Sequence, residues 1–148
     1  MHHRTLVCLT WLIIVTFASG LRLSKLETRP FHADEATGAR ILSQRLAGDY
    51  QFNPNHFHGP LLSLLTEPLA RLRNETTWQS LSIETLRLSP AIAGILICLT
   101  PLLWRRVMGE YGAALSATLL ATSPMLVYYS RMHIHESWLA LFGLLGLT

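Results

Sequence analysis

What most limits the folds open to this chain is the way its apolar residues are gathered into separate blocks, each close to the length that crosses a bilayer. The blocks cover about residues 5–23, 88–104 and 111–129, and a further apolar run occupies 137–148. Roughly 20 helical residues at 1.5 Å each cross about 30 Å of hydrocarbon, so the first three blocks have spanning length. The fourth is too short to cross and carries no polar flank, which suggests a span cut off partway.

Half of the residues are hydrophobic and only 14% are charged, a balance that favours a membrane protein. A net charge of +3 without a basic run interleaved with aromatics gives no nucleic-acid footprint, so no nucleic-acid partner is expected. Cys8 and Cys98 both fall inside predicted spans and read as small apolar residues, not as a disulfide or a metal pair.

Arg105 and Arg106 are the one basic pair in a short loop, and such loops face the cytoplasm. Alternation then puts the amino terminus inside. The long segment at about 24–87 lies outside, and so does the loop at 130–137. That long segment holds most of the Lys and Arg residues, but the rule has little force in loops of such length. The start, with its small residues Ala18-Ser19-Gly20, also fits a cleaved signal peptide, which would leave the following segment on the same outer side.

Two helices are expected in the outer segment. One is capped at Asp34 or a neighbour, runs to about Leu46 and stops at Gly48. The other begins at Pro60 and sets Leu61, Leu62, Leu64, Leu65, Leu69 and Leu72 against Ser63, Glu67, Arg71 and Arg73, with a kink expected at Pro68. Such an amphipathic stretch lies at the membrane surface more readily than it crosses.

Three polar clusters share the outer side: residues 29–35, 53–60 and 130–136. They gather an adjacent acid pair, several histidines and an arginine at one interface, where carboxylates can act as base or metal ligand. Each has a plainer reading. Asp34 and Glu35 suit the free amides and dipole of a helix start. His56, His58, His133 and His135 form HxH pairs without a third fixed ligand. Arg131 suits lipid headgroups, and Tyr128, Tyr129 and Trp138 an aromatic belt.

In order along the chain, "RPFHADEATGARI", "NPNHFHGPLL", "LRLSPAIAGI" and "GAALSATLLATSPMLVYYSRMHIHE" resemble the start of GT-C-type glycosyltransferases that use polyprenyl-phosphate sugars. Within that superfamily, related to the protein mannosyltransferase and aminoarabinose transferase group, the chain is most similar to the oligosaccharide flippase activity-associated membrane family. The likeness covers about residues 21–138. It implies an all-α polytopic membrane protein: three spans and part of a fourth from a larger bundle, with two interfacial helices in the first outer loop. The remaining spans would then be partners of this piece.

By position, the resemblance makes Asp34 the general base on an acceptor hydroxyl, with Glu35 supporting it or holding a divalent metal. His58 falls in the "HGP" element, and Glu136 in the acidic position after "YYSR". Relatives often carry an aspartate there after a basic residue, whereas here a glutamate follows His135. Arg131, with Arg87 or Arg29, would steady the departing phosphate, because guanidinium pairs with phosphate through a two-pronged set of bonds.

The activity expected is transfer of a sugar from polyprenyl phosphate to an acceptor hydroxyl on the non-cytoplasmic face, with inversion at the sugar carbon. The alternative is a non-catalytic membrane component that assists translocation of lipid-linked oligosaccharide. A transporter fits less well, because the polar residues sit at the interface and not at mid-membrane.

Overall fold

The computed structural model describes the backbone of residues 2–53 and 59–148, with side chains from residue 4 onward. Among the described residues there is no strand, and the chain is all-helical. Its elements are α1 (His2–Leu23), α2 (Ala33–Ala47), α3 (Leu61–Leu72), α4 (Ile83–Leu99), α5 (Arg105–Thr122), α6 (Pro124–Tyr129) and α7 (Glu136–Gly146), with single 3-10 turns at Leu26–Thr28 and Thr100–Leu102.

Among the described residues, two helical stretches are long and apolar enough to cross a membrane, Arg4–Thr28 and Ile83–Leu102. They differ in surroundings. Much of α1 is bare: Leu6, Leu9, Leu12, Ile13 and Phe17 are exposed, while Ile14 and Ala18 pack on Cys98, Ala117 and Ala121. By contrast α4 is central and touches α1, α3, α5 and α7.

Pairings along these helices give their directions. Gly94 and Cys98 of α4 lie against Arg22 and Ala18 of α1, so the two are antiparallel. The end of α5 reaches Arg22, whose guanidinium donates to the carbonyls of Leu120 and Ala121 at 3.1 Å each. Trp138 Nε1 bonds Ser89 Oγ, and Leu141 packs on Ala93 and Ile97, so α7 follows the direction of α4. The four apolar elements thus alternate up and down. Small residues at every fourth position of α5, Ala113, Ala117 and Ala121, are buried, which lets helices approach closely.

The third apolar block is not one helix. It breaks at Ser123 (φ −57°, ψ 117°), whose hydroxyl accepts from Leu126 N–H to start α6, because Pro124 has no N–H to continue the ladder. Ahead of that block, α5 is also kinked at Gly109 (φ 75°), a backbone setting that favours glycine.

The two helices of the intervening segment form where expected, with changes in detail. His32, not Asp34, caps α2: its Nδ1 accepts from Asp34 N–H while Glu35 Oε2 accepts from His32 N–H. Gly48 ends the helix in the left-handed region (φ 82°). Helix α3 begins after Pro60, runs through Pro68, and turns a different face inward than its leucines suggested. Leu62, Ser63, Thr66 and Ala70 are buried against α2 and α4, while Leu61, Leu64 and Leu72 stay exposed.

Candidate functional site

One end of the bundle collects the carboxyl end of α1, the start of α2, the start of α4 and the 130–135 turn. Glu35 and Arg87 join them. Glu35 is fully buried, and Arg87 donates to it from Nε and Nη2 at 2.7 Å each. The remaining acceptor positions of Glu35 take the backbone N–H of His133 (2.8 Å) and of His32 (3.1 Å). Arg87 spends its other N–H groups on the carbonyls of Leu26, Arg29 and Pro30. Burial pushes the Glu35 carboxyl upward, but the Arg87 guanidinium and the two backbone donors outweigh it and hold the group below its ordinary value.

This geometry corrects two expectations. Glu35 has no oxygen left for a metal or a substrate, and Arg87 has no N–H left for a phosphate. Together they form a buried clamp that fixes the start of α2 relative to α4 and the 130–135 turn.

Arg131 is also turned to a structural task, although its buried Nε has no hydrogen-bond partner. Its Nη1 and Nη2 donate to the carbonyls of Leu21, Ser24 and Lys25, closing the carboxyl end of α1. Burial, then the nearby Arg29 and Arg87, lowers its pKa, as expected where cations crowd together.

His133, fully buried, is a third fastener. Its Nδ1 lies 2.8 Å from the Leu86 carbonyl and so carries the proton, leaving Nε2 buried without a partner. Burial lowers its pKa to about 4. Gly38 makes room for this ring, since a Cβ there would sit 2.9 Å from His133 Cδ2.

What remains open is a cleft of about 390 Å³ beside the clamp, lined by Arg29, Pro30, Phe31, His32, Tyr128 and Met132, with Glu35 and Arg87 as its floor. The Arg29 guanidinium lies over the Tyr128 ring, 4.1 Å from its centre, and its Nη1 is buried with no hydrogen-bond partner. Asp34 stands at the first turn of α2 with 63% of its side chain exposed, 3.4 Å from His32 Nδ1. Two guanidiniums, Arg29 and Arg87, line the cleft with one carboxylate, Glu35, so the lining carries excess positive charge.

Of the residues singled out from the sequence, Arg29 lines the cleft with an unpartnered Nη1, while Asp34 stands exposed beside it without lining it. Glu136 is exposed in the first turn of α7 and does not line the cleft. His58 lies outside the described residues. No group of three metal-ligating side chains occurs among the described residues. Sequence reading gave no role to His32 as a wall of the cleft and took Tyr128 for a belt residue. The position of both in the same polar clusters was the available signal. No family model, curated protein or solved structure matches the chain.

Proposed function

We propose that the chain is the amino-terminal part of a multi-pass membrane glycosyltransferase of the GT-C type. It would move a sugar from a polyprenyl-phosphate donor to an acceptor hydroxyl at the bundle end that bears the cleft, on the non-cytoplasmic face. The observation that carries this reading is an exposed carboxylate, Asp34, beside a cleft lined by Arg29, whose buried Nη1 has no hydrogen-bond partner.

A polyprenyl phosphate is a fair leaving group. The site must therefore take a proton from the incoming hydroxyl and hold the negative charge that develops on the departing phosphate. Asp34, exposed in the first turn of α2, would serve the first task, while His32 Nδ1 accepts the Asp34 N–H and fixes the backbone that carries it. Arg29 is placed for the second, flattened on Tyr128 so that its rotamer is already set. The clamp of Glu35 and Arg87 touches neither reactant in this scheme and positions the turn that carries both.

Support for the topology comes from the alternating directions of α1, α4, α5 with α6, and α7. The cleft lies at one end and Arg4, Arg105 and Arg106 at the other, the arrangement that places a basic loop in the cytoplasm.

The test is transfer from a polyprenyl-phosphate sugar by the purified full-length protein of which this chain would be the amino-terminal part. Asp34→Asn is expected to cut turnover about 10²–10⁴-fold, the range for loss of a general base, with helicity unchanged. Unaltered turnover removes Asp34 from the chemistry. A second reading, a non-catalytic component of lipid-linked oligosaccharide translocation, is favoured by the engagement of Glu35, which leaves a single carboxylate at the cleft. Donor binding without transfer, insensitive to Asp34→Asn, would decide for it.

A further inference from the structure

The opposite end of the bundle holds a second constellation that the transfer reaction does not use. Arg4 in the first turn of α1 and Arg105 and Arg106 at the start of α5 converge on a cleft of about 570 Å³, together with Glu110. Among the described residues none of these three arginines forms an ion pair, and Arg105 and Arg106 are exposed. Glu110 Oε2 is buried there without a hydrogen-bond donor.

This cleft continues along the helices. Val7 and Glu110 line both the cleft and an apolar groove between α1 and α5, walled by Leu6, Trp11, Tyr111 and Ala114. Beyond it the outer faces of the same helices are bare leucine, Leu9 on α1 and Leu115 and Leu119 on α5. A cationic mouth that opens into an apolar groove between α1 and α5 matches an amphiphile with an anionic head, and neither a soluble anion nor a neutral lipid fills both halves.

We propose that this site binds one anionic glycerophospholipid with a hydroxyl-bearing headgroup, of the phosphatidylglycerol kind. The phosphodiester meets Arg4, Arg105 and Arg106. A headgroup hydroxyl donates to Glu110 Oε2, and one acyl chain starts in the groove, which has room for about 50 Å³, and continues along the exposed leucines. Charge complementarity selects the anion, and the unsatisfied carboxyl oxygen selects a headgroup with a donor. Bridging the first turns of α1 and α5, the lipid splints the end of the bundle farthest from the clamp.

The experiment is native mass spectrometry of the purified full chain in a nonionic detergent, titrated with palmitoyl-oleoyl phosphatidylglycerol or phosphatidylcholine. The anionic lipid is expected to be retained at concentrations at least tenfold lower. If each basic contact strengthens binding about fivefold, replacing all three arginines by glutamine (Arg4→Gln, Arg105→Gln, Arg106→Gln) weakens it on the order of a hundredfold. Equal retention of the two lipids by the unaltered chain overturns the proposal.

Two competitors need no variant and so hold even if the substituted chain fails to fold. Glycerol 3-phosphate competing as well as the whole lipid would show a soluble-anion site and sink the lipid assignment. Dihexanoyl phosphatidylglycerol is expected to compete poorly; if it matches the long-chain lipid, the groove has no part in binding.

Discussion

Replacing Arg87 with methionine tests the clamp directly, because the two side chains are similar in length and only the charge and the N–H donors are lost. Glu35 keeps the His32 and His133 amides but loses both guanidinium bonds, and the carbonyls of Leu26, Arg29 and Pro30 lose their donor. Breaking a buried pair by removing one partner costs about 3–5 kcal/mol. At roughly 2–4 °C per kcal/mol for a chain of this size, the melting temperature should fall by roughly 6–20 °C.

The loss should also depend on pH, and the sign follows from Glu35. In the unaltered chain its folded pKa is depressed, so its contribution is present above the unfolded value and is lost as pH falls through the folded one. Without Arg87, burial dominates and raises the pKa. The variant can then take up a proton in acid and shed its buried charge. Circular-dichroism melts in detergent at pH 7 and pH 4 should therefore show a wide gap that narrows in acid. A gap under about 2 °C, or one equal at both pH values, would refute the argument that this pair is a buried structural charge.

Other consequences are open to measurement. Gly94→Ala would put a Cβ 2.4 Å from Ser130 Cβ and 2.8 Å from Arg22 Nε, so α4 must move away from both. A loss of at least about 1–3 kcal/mol is expected on unfolding, and an unchanged melt would show that the contact can relax. His133 is held neutral by burial, with a folded pKa of about 4. Its depressed value means stability falls as pH drops from about 6.5 toward 4. Asparagine at this position, which can still donate to the Leu86 carbonyl, should flatten that part of the profile, and a profile of the same slope would exonerate the ring. Arg29→Gln should lower kcat more than it raises KM for the lipid-linked donor, because the charge it meets grows during departure of the phosphate; a change confined to KM would make it a ground-state contact.

Periodicity and end signals made much of the fold legible. Continuous apolar runs mark α1 and α4, Gly48 marks the end of α2, and Gly59-Pro60 marks the start of α3. Less visible was the inward face of α3, because the count of leucines pointed outward of Thr66 and Ala70, and packing chose small side chains that let α2 and α4 come near. The site was legible as a set of polar clusters and not as roles. Glu35 and Arg87 are 52 positions apart, and nothing local tells that an acid beside Asp34 will be consumed by a buried arginine while its neighbour stays in solvent. Arg131 likewise carries the composition of a phosphate ligand, yet it closes a helix end 107 residues earlier.

The interruption after Thr122 and the cation at position 22 answer one another. Proline denies the Leu120 carbonyl its amide partner, the break at Ser123 takes Ala121 out of the ladder, and a single side chain from the neighbouring helix reaches both. Each is a liability by itself: a bend with bare acceptors, or a charge stranded among apolar groups. Substituting Pro124 alone should thus harm the protein by healing its helix, and the harm should shrink when Arg22 is neutralised with it.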